Sequence, residues 1–169
     1  MDQRHMGVEF EGAWKPVDYF RLDVAASHGD WIYTDDVTGT YKDYEGGGAN
    51  DVQFNYYVKD LKVGNAPQSQ VAVSASVEPL KDLRAEVVMK SFTNHYADWD
   101  PFSRTELEDG KRPQSWEAPG YTVFDLHAFY DLPVRNKDFN IQIFAHVFNL
   151  TDEIYIQDAT DNSRYNGFD

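Results

Sequence analysis

Ser69-Gln70-Val71-Ala72-Val73-Ser74-Ala75-Ser76-Val77-Glu78-Pro79-Leu80-Lys81-Asp82-Leu83-Arg84-Ala85-Glu86-Val87-Val88-Met89-Lys90 alternates twice around a short break. In segment 69–78, Val71, Val73, Ala75 and Val77 take one side against Ala72, Ser74, Ser76 and Glu78. In segment 83–96, Leu83, Ala85, Val87 and Met89 oppose Arg84, Glu86, Val88 and Lys90. Successive strand side chains point to opposite faces, so a period of two reads as β structure with one uncharged face. The break between the runs, Pro79-Leu80-Lys81-Asp82, has the length of a hairpin loop.

The same pattern recurs in four further segments, 5–14, 20–34, 121–132 and 139–150. Their uncharged sides are Met6, Val8, Phe10, Gly12 and Trp14; Phe20, Leu22, Val24 and Ala26; Phe124, Leu126, Ala128 and Tyr130; and Phe139, Ile141, Ile143, Ala145 and Val147. One face is thus expected to avoid charge along its whole length. A water-soluble sheet with one face on a core gives the same alternation as a sheet against lipid. Periodicity alone does not separate them.

The connections separate them better. Segments 15–19, 79–82 and 133–138 are short, and each contains a proline followed by an aliphatic residue. The connections 35–68 and 97–120 are long, as is the tail from 151. Short and long alternate strictly, which places all short turns at one end of the sheet and all long loops at the other. Outer-membrane barrels have this asymmetry, whereas long structureless loops are uncommon in compact soluble domains. Ten residues at about 3.3 Å each, tilted near 45°, roughly match the apolar band of that membrane. Trp14, Tyr19, Phe20, Tyr130 and Phe139 gather at the short-turn end, where an aromatic girdle is expected.

Composition narrows the classes. The chain has 169 residues, enough for one domain, and 15% are aromatic, which suits strands. A net charge of −14 argues against a nucleic-acid partner and against docking on an anionic leaflet. Mean hydropathy is −0.63 and no run approaches the roughly 20 apolar residues of a membrane helix, but alternating barrel strands escape that measure. Cysteine is absent, which excludes disulfides and thiolate metal sites. Residues 1–10 hold no apolar signal-peptide core, so the chain is either cytosolic or lacks its own beginning, and the second is the expectation favoured here.

Five stretches then resemble the barrel of TonB-dependent receptors, in that family's order. They are Gly7-Val8-Glu9-Phe10-Glu11 with Trp14-Lys15-Pro16; Gly29-Asp30-Trp31-Ile32-Tyr33; Leu61-Lys62-Val63-Gly64-Asn65-Ala66-Pro67; Pro119-Gly120-Tyr121-Thr122-Val123-Phe124-Asp125; and Val147-Phe148-Asn149-Leu150-Thr151-Asp152-Glu153-Ile154-Tyr155. Pro67, Tyr121, Asp125, Asn149, Leu150, Asp152 and Tyr155 are the positions that carry the resemblance. It implies an all-β, antiparallel, up-and-down transmembrane barrel segment of about six long strands, with residues 1–169 forming one partial barrel domain. Barrels of that transporter class have about 22 strands and a plugged lumen. The chain is therefore expected to be the C-terminal part of such a barrel, without plug or final strand. The implied function is uptake of a scarce nutrient across the outer membrane of a Gram-negative cell: a metal chelate such as a siderophore, a cobalamin or a glycan. The implied partners are the lipid bilayer and lipopolysaccharide, the plug and remaining strands, TonB through the plug, and the small nutrient itself.

No catalytic residue, metal or cofactor is expected. Asp98-Trp99-Asp100 could present carboxylates around an apolar platform to a ligand; its plainer reading is a solvated acidic loop tip. Trp31 and Tyr33, with Tyr41, Tyr44, Tyr56 and Tyr57, give the first long loop an aromatic character suited to ligand capture or to loop packing. Asp35, Asp36, Asp43 and Glu45 lack the spacing of a calcium loop. His127 and His146 fall on the inward side with Asp125, an arrangement open to acid–base chemistry, but no nucleophile elbow or H-E-x-x-H motif accompanies them. Three rival readings follow: a small complete outer-membrane barrel of structural or adhesion type, with extra strands in 35–68; a soluble ligand-binding β-barrel; and an outer-membrane hydrolase using His127.

Overall fold

Each alternating run becomes a strand in the computed structural model, which describes residues 1–44, 50–107, 109–134 and 139–161. In chain order they are β1 (Gln3–Val17), β2 (Phe20–Tyr33), β3 (Val37–Asp43), β4 (Asn50–Tyr56), β5 (Pro67–Leu80), β6 (Leu83–Tyr96), β7 (Asp98–Trp99), β8 (Glu117–Ala118), β9 (Tyr121–Asp131), β10 (Gln142–Val147) and β11 (Thr160–Asp161). The six long strands lie in the order β1-β2-β5-β6-β9-β10, every neighbour antiparallel, with β8 beside the top of β6. This up-and-down sheet is a wall with two open edges, a partial barrel.

Register settles how the faces combine. Trp14 stands opposite Leu22, Leu22 opposite Ala75, Ala75 opposite Val87, Val87 opposite Leu126, and Leu126 opposite Val147. The next row runs Gly12, Val24, Val73, Met89, Phe124. A slip of one residue in any strand would invert its face. All six uncharged sides nevertheless coincide on one surface. The opposite surface carries rows such as Ala13, Asp23, Ser74, Val88, Asp125 and Arg21, Ser76, Glu86, His127, His146.

The uncharged surface meets no second layer among the described residues. Val8, Phe10 and Trp14 are 72%, 62% and 61% exposed. In water, each such side chain would forgo about 1.5–3 kcal/mol of burial. Trp14, Tyr19, Tyr130 and Phe139 stand exposed at the short-turn end, and Trp14 meets Phe20 edge-on at 6.4 Å.

Four expectations need correction. Two of the three prolines do not lie in the turns: Pro16 and Pro79 lie inside β1 and β5, at register breaks between Trp14 and Val17 and between Val77 and Leu80, whereas Pro133 follows the end of β9. A residue without an N–H fits a bulge, where a ladder bond is not made. The turns thereby shrink to Asp18-Tyr19 and Lys81-Asp82, with Asp82 left-handed at φ 64°. Of the third turn, residues 135–138 lie outside the described residues. Second, the last strand is shorter than 139–150, because Asn149 and Asp152 adopt φ of 50° and 54° and turn the chain away. Third, the outward face is not free of charge along its whole length. Asp30 faces outward with Arg4 at 3.3 Å and Lys62 at 2.5 Å, level with the loop end, where that face leaves the apolar band. Fourth, the extra strands required by a small closed barrel do form in 35–68, but β3 and β4 pair only with each other, as a hairpin apart from the wall.

The hydrophobic core sits at the loop end, not on the wall. Tyr33, Val58, Leu61 and Trp99 are buried together, with Val37, Tyr56 and Val63 packed around them. The segment after β4 returns to β2 through Tyr33 N–H to Leu61 O at 2.9 Å and Val63 N–H to Trp31 O at 3.0 Å. Gln68, 2% exposed, staples the same place: its amide oxygen accepts from Trp31 N at 3.1 Å and its Nε2 donates to Trp31 O at 3.0 Å. Gly64 lies so close to the next loop that a Cβ there would come within 2.6 Å of Ala97 O and Asp98 N. Only glycine fits.

Candidate functional site

The long connections do not hang as separate loops; they assemble into one cap. Asp98 N–H donates to Ala159 O at 2.9 Å and Asp100 N–H to Asp161 O at 3.0 Å, within a parallel pairing of β7 with β11. A 3-10 turn, Pro101–Arg104, follows β7, with Ser103 N and Oγ both donating to Asp100 O, at 3.0 and 2.7 Å. Arg104 then reaches the innermost ion pair. Its Nη2 lies 3.5 Å from Asp161 Oδ2, both side chains essentially inaccessible, while Nη1 donates to Pro113 O at 2.7 Å. Burial pulls the Arg104 guanidinium below its ordinary value, and the Asp161 carboxylate opposes that fall. Asp161 Oδ2 also accepts from Trp116 N at 2.9 Å. The tail is thereby sewn to the loop between β6 and β9.

Among the residues expected to contact ligand, Tyr33 and Trp99 form the cap's core, 6% and 7% exposed, edge to face at 5.9 Å. Any part they take in capture runs through the shape they hold. Trp31 stacks on His5 at 5.2 Å. Asp98 and Asp100 belong to and flank β7 instead of forming a solvated tip, since pairing with β11 draws them inward. Asp98 Oδ2 also meets Asn65 Nδ2 at 3.4 Å. Asp36 serves as an anchor: Arg112 grips it in a fork, with Nε to Oδ1 at 3.0 Å, and Lys59 N–H donates to it at 2.9 Å. That fork holds the Asp36 carboxyl below, and the Arg112 guanidinium above, their ordinary values. Glu45 lies outside the described residues. No group of three or more His, Cys, Asp or Glu is arranged to hold a metal among the described residues.

The residues that carry the family resemblance come together, Pro67 excepted. Asp125 Oδ2 accepts from Lys90 Nζ at 2.8 Å and its Oδ1 from Asn149 N at 2.9 Å. The Asn149 side chain closes a turn on Glu153, bonding its N and O at 2.9 Å each, and Leu150 N donates to Phe124 O at 2.7 Å. Asp152 N donates to Asn149 O, and Tyr155 stacks on Tyr121 at 4.2 Å and 10°. These positions clamp the exit from β10 onto the top of β9. Pro67 opens β5 opposite His95.

The clamp bears on the acid–base alternative. With the Asp125 oxygens engaged by Lys90 and Asn149, His127 turns instead to His146, Nδ1 to Nδ1 at 2.7 Å, among Phe129, Phe144 and Phe148. Elsewhere on the inward face Arg21 pairs with Asp23 at 2.6 Å, and Glu86 accepts from Ser74 Oγ at 2.5 Å. Ala25 and Ala72 floor a trough of about 310 Å³ that Glu9, Glu11 and Lys90 border.

Sequence reasoning missed Lys90, Gln68, Arg104 and Asp161 as cap and clamp residues. Only the burial of two opposite charges 57 positions apart marks Arg104 and Asp161, and that becomes visible only in three dimensions.

The family model for the TonB-dependent receptor-like β-barrel matches residues 2–150. No curated protein and no solved structure matches the chain. The matched family is one of outer-membrane transporters of Gram-negative bacteria, not of enzymes, and its members work with a plug and with TonB. With the match covering nearly all of the described wall, the chain belongs to the TonB-dependent receptor-like β-barrel family.

Proposed function

We propose that this chain supplies part of the wall and outer cap of a receptor that imports one scarce nutrient, a metal chelate, a cobalamin or a glycan, with the energy delivered by TonB. The observation that carries this reading is the register. Six strands bring their uncharged sides to one surface, while every long connection meets at the opposite end from the turns. The uncharged surface faces lipid. The inward face, with its paired charges and small-residue floor, receives the plug. The open edges of β1 and β10 pair with further strands of the barrel, since an unpaired edge is a liability in any sheet. Residues 1–169 thus form one wall-and-cap unit, in which Trp31, Asp98 and Asp100 and the buried Tyr33 and Trp99 shape the outer surface. The partners are the bilayer, lipopolysaccharide, the plug, TonB through the plug, and the nutrient.

Absence of cysteine makes the test clean. Single cysteines at Val73 and at Ala72 are labelled with a fluorophore in the reconstituted protein. A lipid-phase quencher is expected to quench the label at 73 and spare that at 72; the reverse, or equal quenching, overturns the reading. Uptake by cells with and without TonB then tests transport.

A further inference from the structure

The β3–β4 hairpin has two unlike faces. Register sets Val37 beside Tyr56, Gly39 beside Phe54, Tyr41 beside Val52 and Asp43 beside Asn50 on one side. The other side is polar: Thr38 Oγ1 bonds Asn55 Oδ1 at 2.9 Å, and Lys42 pairs with Asp51 at 3.3 Å. On the apolar side the rings climb in a ladder from the buried core. Trp99 to Tyr56 is 5.7 Å, Tyr56 to Phe54 4.6 Å, and Phe54 to Tyr41 5.7 Å. Its foot is sealed, because Tyr56 and Val37 pack on the Trp99 cluster. Farther up the exposure rises: Tyr41 is 50% exposed, and Tyr44 just beyond it 70%. Phe54 lies against Gly39, where a Cβ would come within 2.5 Å of two ring carbons. The glycine is what lets the ring settle on the backbone.

Packing accounts for the foot of this ladder and not for its head. Aromatic faces are negative, and the Asp43 carboxylate tops the same side of the hairpin. Residues 35–68 hold six carboxylates against three lysines; Asp36 is taken by Arg112 and Asp51 by Lys42, and the acidic excess that is left favours a cation over an anionic chelate. The base of the hairpin already holds a cation in this manner. Arg112, paired with Asp36, stands with its guanidinium carbon 5.9 Å from the centroid of Tyr57.

We propose that the Tyr41–Phe54 end of the ladder docks an organic cation, an ammonium or guanidinium group of the imported substrate, over its rings and beneath Asp43. The cation as cargo rests on the uptake reading above; the surface itself does not.

The test titrates the full chain in detergent micelles with spermidine, using ferric citrate as the anionic comparison and maltohexaose as the neutral one, read by calorimetry. Saturable binding of spermidine alone is expected, weakening as ionic strength rises. Phe54→Leu keeps an apolar side chain but removes the ring, and is expected to weaken binding about threefold to tenfold. Asp43→Asn weakens it less, and Thr38→Ala, on the polar side, leaves it unchanged. Ferric citrate or maltohexaose binding in place of spermidine overturns the proposal. So does a Phe54→Leu variant that binds as the parent does, or a parent with protected cap amides that ignores spermidine. The quenching test separates the two readings. A chain that inserts yet ignores spermidine loses this surface alone; one that binds spermidine through Phe54 but fails to insert keeps the surface and loses the uptake reading.

Discussion

The wall and the cap are made of one chain but held together by different physics. The wall has long ladders of backbone hydrogen bonds and few buried side chains, and its large apolar residues stand exposed. The cap has short, irregular pairings but a dry core of Tyr33, Val58, Leu61 and Trp99, closed by a buried ion pair. A strand in hydrocarbon must satisfy its backbone and present apolar side chains to the solvent around it. A loop in water must do the opposite and exclude that solvent. The same alternation of residues therefore means burial in one region and exposure in the other.

The contrast can be broken most sharply at Asp161. Replacing it with alanine leaves Arg104 charged, buried and unpaired, at a cost of about 3–5 kcal/mol. Hydrogen exchange is expected to show protection lost around Arg104, Trp116 and Tyr57 while β5 and β6 amides stay protected; equal loss in both regions would mean that they unfold as one unit. Leu61→Ala, in the dry core, should cost about 2–5 kcal/mol and lower the temperature at which the fluorescence of Trp31, Trp99 and Trp116 changes. Val73→Arg attacks the other side of the comparison. An arginine against mid-depth lipid costs about 2–4 kcal/mol, whereas Ala72→Arg, one residue away and facing inward, should cost far less. Urea titration of the two variants in bilayers reads the difference, and matching midpoints would contradict the lipid face.

The smallest effect is the pH response of the Asp36–Arg112 fork at the base of the hairpin. Its folded carboxyl titrates below the unfolded value of about 3.9, so the stabilisation is whole above that value and fades as pH falls through the lower, folded one. Proteolytic cutting in 35–68 should rise over that acid window in the parent. Asp36→Asn, already without the fork, should be cut more readily at neutral pH and show no such rise.

Much of the wall was legible in the sequence because its pattern is local. Period two, proline-bearing breaks and the long-short rhythm all lie within a few residues of one another. The cap was not legible, for the opposite reason. Trp99 read as an apolar platform and Tyr33 as an aromatic of a loop suited to capture or to packing, since their surroundings in sequence are acidic and polar; only the return of Val58 and Leu61 buries them together. The hairpin was half visible, in the allowance for extra strands within 35–68. Its run from Val37 to Asp43 is interrupted by Gly39 at the position where Phe54 needs room. Asp125 was picked out as a motif residue and as a possible partner of His127. Its bond to Lys90 depends on strand register, which no neighbouring residue announces.

The seam between β7 and β11 has a consequence for biogenesis. Its two halves, Asp98-Trp99 and Thr160-Asp161, are separated along the chain by the whole of β9 and β10. Arg104 meets its counter-charge only when both of those strands have taken their places beside β6. Closure of the cap is thus coupled to completion of the last two strands: a chain with β9 and β10 unpaired would leave Asp161 far from Arg104 and the seam unsealed.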